Sequence, residues 1–538
     1  MKKILLLIIT ILSLQGFAGK WFVASTGNNG AIGNLPAFPL LTLPYATDIA
    51  QGDTIYVMGT NTTTAIAYLK LNTSVMAYDT NAKIISTITG GTVFSYYSAT
   101  IVNGSTSQIS GIEFDGQNVA YGAIMSSRVG GMLIKDNYIH NFKSVGIHLY
   151  NPATTAPTCV GTSIYNNVVI NCASYLYPGS YGNIWTMGQK DLIVRKNIIT
   201  APFLAGDSAG FAFKASHLEN AKIDSNDFRV LNHNDGTRWA FALEINWSFG
   251  GNEIAYNNFQ GIVDIAGNNP TKGAYDYCVA IHDNTIGHPE LTAYWQLGIL
   301  IEAGSAGGAT RDILIYNNTT RNVATALSIY HIGTAALENI KYHHNVTYNV
   351  GRTEGGGSGY AVSISGNYPG STVRNVEIDN NTFIAGNTNG TSVTALSLSG
   401  GSIERNIKFR NNIVDGFPNA AILTPGSPTT GSIDTLILQN NVIFNCGNSN
   451  NPKWYGIIPT HLTNTGDIKA DPLFVGSGNY RLQELSPAVN AGLNVGLPYL
   501  GSAPDIGAYE YASPAEIVKR VGKVNGLLGK YNNKIGRY

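Results

Sequence analysis

The sequence predicts an all-β solenoid, a stack of short strands wound in turns of about thirty residues. Three observations carry this. First, the phrase Ile313-Leu-Ile-Tyr-Asn-Asn-Thr-Thr recurs. Close copies are Ile164-Tyr-Asn-Asn-Val, Ile254-Ala-Tyr-Asn-Asn-Phe, Ile378-Asp-Asn-Asn-Thr-Phe, Phe409-Arg-Asn-Asn-Ile and Leu436-Ile-Leu-Gln-Asn-Asn-Val. Looser copies start at Ile134, Val194, Ile223, Ile281 and Tyr342, and the last Asn of each copy falls at 137, 167, 197, 226, 258, 284, 318, 345, 381, 412 and 441. Second, a strand-like segment separates successive phrases, as in Gly146-Ile-His-Leu-Tyr, Phe241-Ala-Leu-Glu-Ile-Asn, Gly298-Ile-Leu-Ile-Glu, Ala326-Leu-Ser-Ile-Tyr and Ala361-Val-Ser-Ile-Ser. Each turn therefore has at least two strands. Third, helical heptads are absent and β-branched residues dominate.

The chain opens with residues 1–19, which have the form of a signal peptide. Lys2 and Lys3 precede the apolar run Ile4–Leu14, and Gly16-Phe17-Ala18 supplies small residues for cleavage. The run is shorter than the roughly 20 apolar residues of a transmembrane helix, so the expected location is secreted: extracellular, periplasmic or cell-surface. Residues 20–60 read as a cap. Trp21-Phe-Val-Ala-Ser-Thr-Gly-Asn-Asn-Gly is a strand and turn, Thr42–Ala50 puts Leu43, Ala46, Ile49 and Ala50 on one helical face, and Gly52-Asp-Thr-Ile-Tyr-Val returns to a strand. A terminal rung would otherwise expose its core.

Residues 61–466 are the rungs, blurred to about 130 and clear from 131 to 446. Rungs stack roughly 4.8 Å apart. An Asn at an inward turn position then bonds to the turns above and below, pairing backbone groups that burial would otherwise orphan. Residues 467–511 form a closing segment with Asp471-Pro-Leu-Phe, Asn479-Tyr-Arg-Leu, Leu485-Ser-Pro-Ala-Val-Asn-Ala-Gly and Asp505-Ile-Gly-Ala-Tyr-Glu-Tyr. The remainder, 512–538, carries Lys519, Arg520, Lys523, Lys530, Lys534 and Arg537 and no acid from Lys519 on: a basic tail or a docking element.

With these openings, rungs and endings, residues 20–511 resemble secreted right-handed parallel β-helix proteins of the pectate-lyase-like superfamily, the pectin lyase fold. The resemblance implies a single-stranded right-handed parallel β-helix with a short N-terminal capping helix. It is specific for fold and says little about activity, since one fold hosts lyases, hydrolases, epimerases, tailspikes and proteins of other roles.

Composition narrows the partners. Thirty-three basic and thirty-three acidic residues balance, and only 12% are charged, so no field recruits nucleic acid or a charged membrane. Neutral hydrogen-bonding groups suit contact with glycans. Four cysteines, Cys159, Cys172, Cys278 and Cys446, are too few for a disulfide framework and read as packed thiols, with a Cys159–Cys172 bridge open in an oxidising compartment.

Against this neutral background stands a charged strip. Strand alternation with Phe211 and Phe213 inward sends Ala212 and Lys214 out. With Phe241, Leu243 and Ile245 inward, Ala242, Glu244 and Asn246 face out; with Ile299 and Ile301 inward, Glu302 does. Asp264 lies between, in Ile262-Val-Asp-Ile, where Ile262 and Ile265 differ in parity. Lys214, Glu244, Asp264 and Glu302 are the candidate catalytic residues. Two carboxylates on neighbouring rungs fit the acid and base or nucleophile of glycoside hydrolysis. The resemblance implies another arrangement, in which the carboxylates hold Ca²⁺ and Lys214 abstracts the sugar C5 proton in β-elimination. A third reading makes them solvated or salt-bridged ladder charges. Trp185, Asn246, Trp247 and Tyr330 flank the strip as candidate substrate-binding groups.

The sequence thus predicts a carbohydrate-active protein, a polysaccharide lyase or glycoside hydrolase working on an extended glycan along residues 185–330. The alternatives are a non-catalytic surface or adhesin-type glycan binder and a phage tailspike-like protein; the signal peptide counts against the last.

Overall fold

The computed structural model describes residues 19–512 apart from 153–155, 173–181, 203–208, 232–238, 268–271, 290–295, 304–308, 332, 352–357, 367–370, 387–391, 400–402, 425–432, 448–453, 456–458, 460 and 477. Residues 1–18 of the expected signal peptide and 513–538 of the basic tail lie outside the described residues.

The chain is an all-β parallel solenoid of about 12 turns with one short helix. Its contacts divide it into two units, Met1–His217 and Leu218–Tyr538. In both, a turn contributes three strands, one to each of three parallel sheets, where the sequence analysis expected at least two. In the second unit Thr310–Tyr316, Thr319–Val323 and Thr325–His331 belong to the first, second and third sheets. Each pairs in parallel with its counterpart one turn on: Leu337–His343, Val346–Val350 and Gly359–Gly366. In the first unit Leu133–Lys135, Tyr138–His140 and Val145–Tyr150 pair with Ser163–Tyr165, Val168–Ile170 and Ile184–Lys190.

The extra strand lies inside the Asn phrase, because the bend there takes two residues and needs neither Gly nor Pro. The first residue of the pair adopts left-handed φ: 52° at Asn166, 55° at Asn317, 52° at Asn380 and 54° at Asn411. Asn tolerates that region better than other side-chain-bearing residues do. Gly111, with φ of 75°, does the same one turn before the first ladder Asn.

The second residue turns inward and forms the ladder. The Asn318 backbone N–H and side-chain Nδ2 both donate to Oδ1 of Asn345, and Nδ2 also donates back to the carbonyl of Ile281. The same pattern links Asn137, Asn167 and Asn197 in the first unit. In the second unit it runs from Asn226 through Asn257 and Asn284 to Asn441. The ladder residue is Asn257 and not Asn258, which sits one place later and is exposed, its amide donating to Asp227. The ladder ends on Asp467, whose Oδ1 accepts from Asn441.

Between these bends, apolar residues stack in columns. Ile223, Ile254, Ile281, Ile315, Tyr342, Ile378, Phe409 and Leu438 line the inner side of the first sheet in the second unit, all fully buried. Each buried aliphatic side chain contributes about 1.5–3 kcal/mol. Register and apolar alternation therefore enforce each other, since a one-residue slip would turn a column to solvent.

The N-terminal helix α1 (Leu43–Ile49) buries Leu43, Ala46 and Thr47, with Ala50 behind them; Ile49 is only half-buried. At the other end the chain folds back along the bends of the last turns. Leu482, Ala488 and Ile506 pack on Ile413 and Val442. The outward Asn of three pairs holds this segment: Asn380 donates to the Asp505 carbonyl, Asn440 to that of Ala491, and Asn411 exchanges two bonds with Leu493. All four cysteines are free and buried, so Cys159 and Cys172 are not bridged. Burial pushes Cys172 up to about 12, which leaves an unreactive thiol.

Candidate active site

The charged strip lies on the third sheet, and the predicted residues divide between the two units. In the second unit Trp239–Asn246, Ile262–Ala266, Leu297–Ala303 and Thr325–His331 are successive strands. Leu243, Ile245, Val263, Ile265, Ile299 and Ile301 are buried inner residues, so the residues alternating with them form the outer columns.

Glu244 and Asp264 are direct partners on adjacent strands. That settles the parity of Asp264: it shares the face of Glu244. The ambiguity came from a bulge, since Phe241 pairs with Ile262 and Leu243 with Val263, leaving Ala242 as the extra residue. Phe241, expected inward, is instead half-buried and packs with Ile262, Leu297, Leu300 and Tyr330, while Ala242, expected outward, is fully buried.

Glu302 departs from the single file. Asp264 pairs with Leu300, and Glu302 pairs onward with Tyr330, so Glu302 stands one column over. The sheet thus brings Glu244, Asp264 and Asn246 together on two adjacent strands, with Glu302 and Tyr330 on the next two. The Asn246 amide donates to Glu244 Oε1. Glu244 and Asp264 are 7% and 2% exposed, so both carboxylates sit deep between their neighbours. Burial, and then the charge of Glu244, pushes the Glu302 carboxyl up to about 7. One carboxyl near half-protonation at neutral pH, beside others on the same face, is an arrangement that can both give and take protons.

Trp247 follows the strand with φ of 59° and 40% exposure, its indole lying over Gly267. In the first unit the Lys214 ammonium stands 4.4 Å over the ring of Phe211, a cation–π contact; Phe211 and Phe213 are both buried, and so is Ala212, expected outward. Trp185, also in the first unit, stacks on His148 with centroids 4.1 Å apart.

The donor set does not suit calcium. The third carboxylate is offset, Leu300 occupies the place beside Asp264, and one Glu244 oxygen already accepts from Asn246. Among the described residues the side chains that close to within 4.8 Å as potential ligands are Glu113, Asp115 and His140, on the second sheet of the first unit. There the Lys83 ammonium already fills the cation's place, 2.7 Å from Glu113 and 3.3 Å from Asp115. Burial would raise Glu113, but Lys83 and His140 outweigh it and hold the carboxyl below the usual range.

Sequence reasoning missed the apolar floor and a hydroxyl track. Beyond Asp264 and Leu300 the same column continues as Ser328, Ser363 and Ser397. The signal was present in the repeated Leu-Ser-Ile, Val-Ser-Ile and Leu-Ser-Leu segments.

No family model matches the chain, and the search of curated proteins found no match to it. Among solved structures, the Dettilon tailspike protein is 14% identical, covering 74% of this chain and 63% of its own, with a TM-score of 0.41. The catalytic domain of a GH87 α-1,3-glucanase in complex with nigerose is 14% identical, covering 66% of each, with a TM-score of 0.40. PfbA, a surface adhesin of Streptococcus pneumoniae, is 12% identical, covering 65% and 88%, with a TM-score of 0.36. The chain spans less than two thirds of the length of the first two. Glycan-acting enzymes, a tailspike and an adhesin are thus its neighbours in fold alone.

Proposed function

We propose that the protein is exported and hydrolyses a neutral polysaccharide laid along the third sheet of its second unit. The observation that carries this is the registered pair Glu244–Asp264, with Glu302 one column over and within electrostatic reach of Glu244. Rungs about 4.8 Å apart put Glu302 two steps from Glu244 and one column along the strand, so the two side chains lean toward each other to bring their carboxyls to the roughly 6.5–9.5 Å that admits a water in inverting hydrolysis.

In that reading Glu302 gives its proton to the glycosidic oxygen as the C1–O bond breaks. Glu244 takes a proton from the water whose oxygen attacks C1 from the opposite side. Asn246 orients Glu244, and Asp264 keeps the face negative beside the developing oxocarbenium charge. Three carboxylates on one face repel a uronate chain, so the substrate is uncharged and elimination with Lys214 as base is disfavoured. Tyr330 and Phe241, partly exposed and packed over the buried Leu300, give the sugar an apolar floor.

The 2% exposure of Asp264 favours a second reading, in which the face binds glycan without cleaving it. Incubating the protein with a broad panel of neutral polysaccharides and assaying new reducing ends separates the two. Release that vanishes in Glu244→Ala/Asp264→Ala while binding survives supports hydrolysis. No release from any member by the wild type, with or without added Ca²⁺, removes it.

A further inference from the structure

We propose that the third sheet of the first unit carries a separate binding strip for an uncharged polysaccharide, built from aromatic side chains in two adjacent outer columns. Pairing runs Tyr68, Ser95, Met125, His148, Trp185 along one column and Tyr97, Ser127, Tyr150 along the next. The residues between them, Tyr96, Ser126, Leu149 and Thr186, are buried inner positions, which fixes these columns as the outer side.

Tyr68 and Tyr97 are 60% and 65% exposed, far more than packing needs. Water contact with large aromatic faces costs free energy, and exposed apolar groups set together mark places where something binds. Farther along the column the Trp185 indole stacks on His148 and lies 6.3 Å from the Tyr150 ring, so those rings hold one another in place. Rigid rings lose little entropy on binding.

The rim identifies the occupant. Tyr68 and Tyr97 wall an open cleft of about 660 Å³ whose polar lining includes Asp48, Gln51, Asn72 and Ser95. That volume is of the size that holds small ligands. The one ammonium there, Lys70, donates to the carbonyl of Asp48, and the Asp48 carboxylate offsets its charge. Flat apolar faces flanked by amide and hydroxyl groups, with no net charge, match a pyranose chain, whose C–H faces stack while its hydroxyl edges hydrogen-bond. A phosphate or uronate polymer would find no excess of cations.

This strip is independent of the carboxylates of the second unit, and so is its test. Full-length protein is run through native gels containing soluble α-glucan, β-glucan, xylan or mannan, with polygalacturonate as the charged control. The wild type should be retarded by at least one neutral polymer and not by polygalacturonate. Tyr68→Ala/Tyr97→Ala should weaken that retardation at least tenfold, and Tyr68→Phe/Tyr97→Phe should keep most of it. Both positions are exposed, so the variants should melt with the wild type. Leu485→Ala, at a position 85% exposed and outside both sites, should be retarded like the wild type, and retardation is read whether or not cleavage is ever found, which separates the failure of this proposal from failure of the hydrolase reading. Retention unchanged by the double Ala variant, no retention by any neutral polymer, or retention by polygalacturonate alone would each overturn it. So would a concentration-dependent dimer that the double Ala change abolishes without any glycan effect, since the strip would then be a self-association face.

Discussion

The Asn318 side chain and its own backbone N–H converge on one acceptor, Oδ1 of Asn345, each at 3.0 Å. A single oxygen on the next turn therefore satisfies two buried donors, and repetition makes the bend self-supporting. Replacing Asn318 by Ala leaves the Ile281 carbonyl and the Asn284 donors short of partners inside the stack. The expected cost is about 2–4 kcal/mol, since each buried unsatisfied group costs on the order of 1–3 kcal/mol. Asn258→Ala, one place off the ladder, should stay within about 0.5 kcal/mol. Thermal melting of the two variants side by side checks the register directly.

The other half of the pair makes an opposite prediction. Tyr256 occupies the left-handed position with φ of 58°, where five other turns place Asn: Asn166, Asn317, Asn380, Asn411 and Asn440. Tyr256→Asn should raise the melting temperature, by an amount corresponding to roughly 1 kcal/mol of relieved backbone strain. Asn317→Val should lower it by at least as much. A melting point unchanged in both would mean that the bends are shaped by packing and not by local preference.

Much of this fold was legible because buried amides leave a sequence trace. Nothing else explains an Asn every 26 to 36 residues, and the inward role expected of it is the one seen. The third strand was hidden, since Ile313–Thr320 reads as one run when the direction change rests on Asn317 alone. Asn258 was taken for Asn257 because a doubled Asn gives no hint of which member turns inward. At the candidate site, alternation located Glu244 and Asn246, but one bulge at Ala242 was enough to misplace Phe241 and blur Asp264. A bulge carries no composition of its own. The offset of Glu302 was likewise invisible, as register between strands far apart in sequence is set by the lengths of intervening turns.

Acid should find a specific weakness at His343 and His344. Their Nδ1 atoms lie 2.9 Å apart, so one donates to the other and the pair needs one nitrogen bare. Burial, with the neighbouring ring and Lys341, holds His343 down at about 3, and burial holds His344 at about 4. Both folded values lie below the unfolded value near 6.5. The unfolded chain therefore binds more protons, and stability falls as pH drops through 6.5 toward 4. His344 also occupies a left-handed position, with φ of 54°. His344→Asn keeps the bend and removes both titrations' shared contact, so its advantage over wild type in melting temperature should grow between pH 7 and pH 5. A gap that stays constant with pH would show that the histidines titrate freely.

Glu302 tests the hydrolase reading most sharply because its charge state and its role are tied. With its carboxyl at about 7, it is protonated below neutrality and competent to donate. Turnover of a neutral polysaccharide should therefore fall as pH rises through 7. Removing the second cause of the shift, the Glu244 charge, by Glu244→Gln should move that basic limb downward, toward the ordinary carboxylate value, as well as slowing the reaction. Glu302→Gln cannot donate a proton; the expected loss in kcat is about 10²–10⁴-fold with KM little changed, the usual worth of a positioned acid. A leaving group that needs no protonation, such as a dinitrophenolate, should recover much of the loss in Glu302→Gln and none of it in Glu244→Gln. That asymmetry is what an acid on one column and a base on the next predicts, and a pair of merely structural carboxylates would give no such rescue.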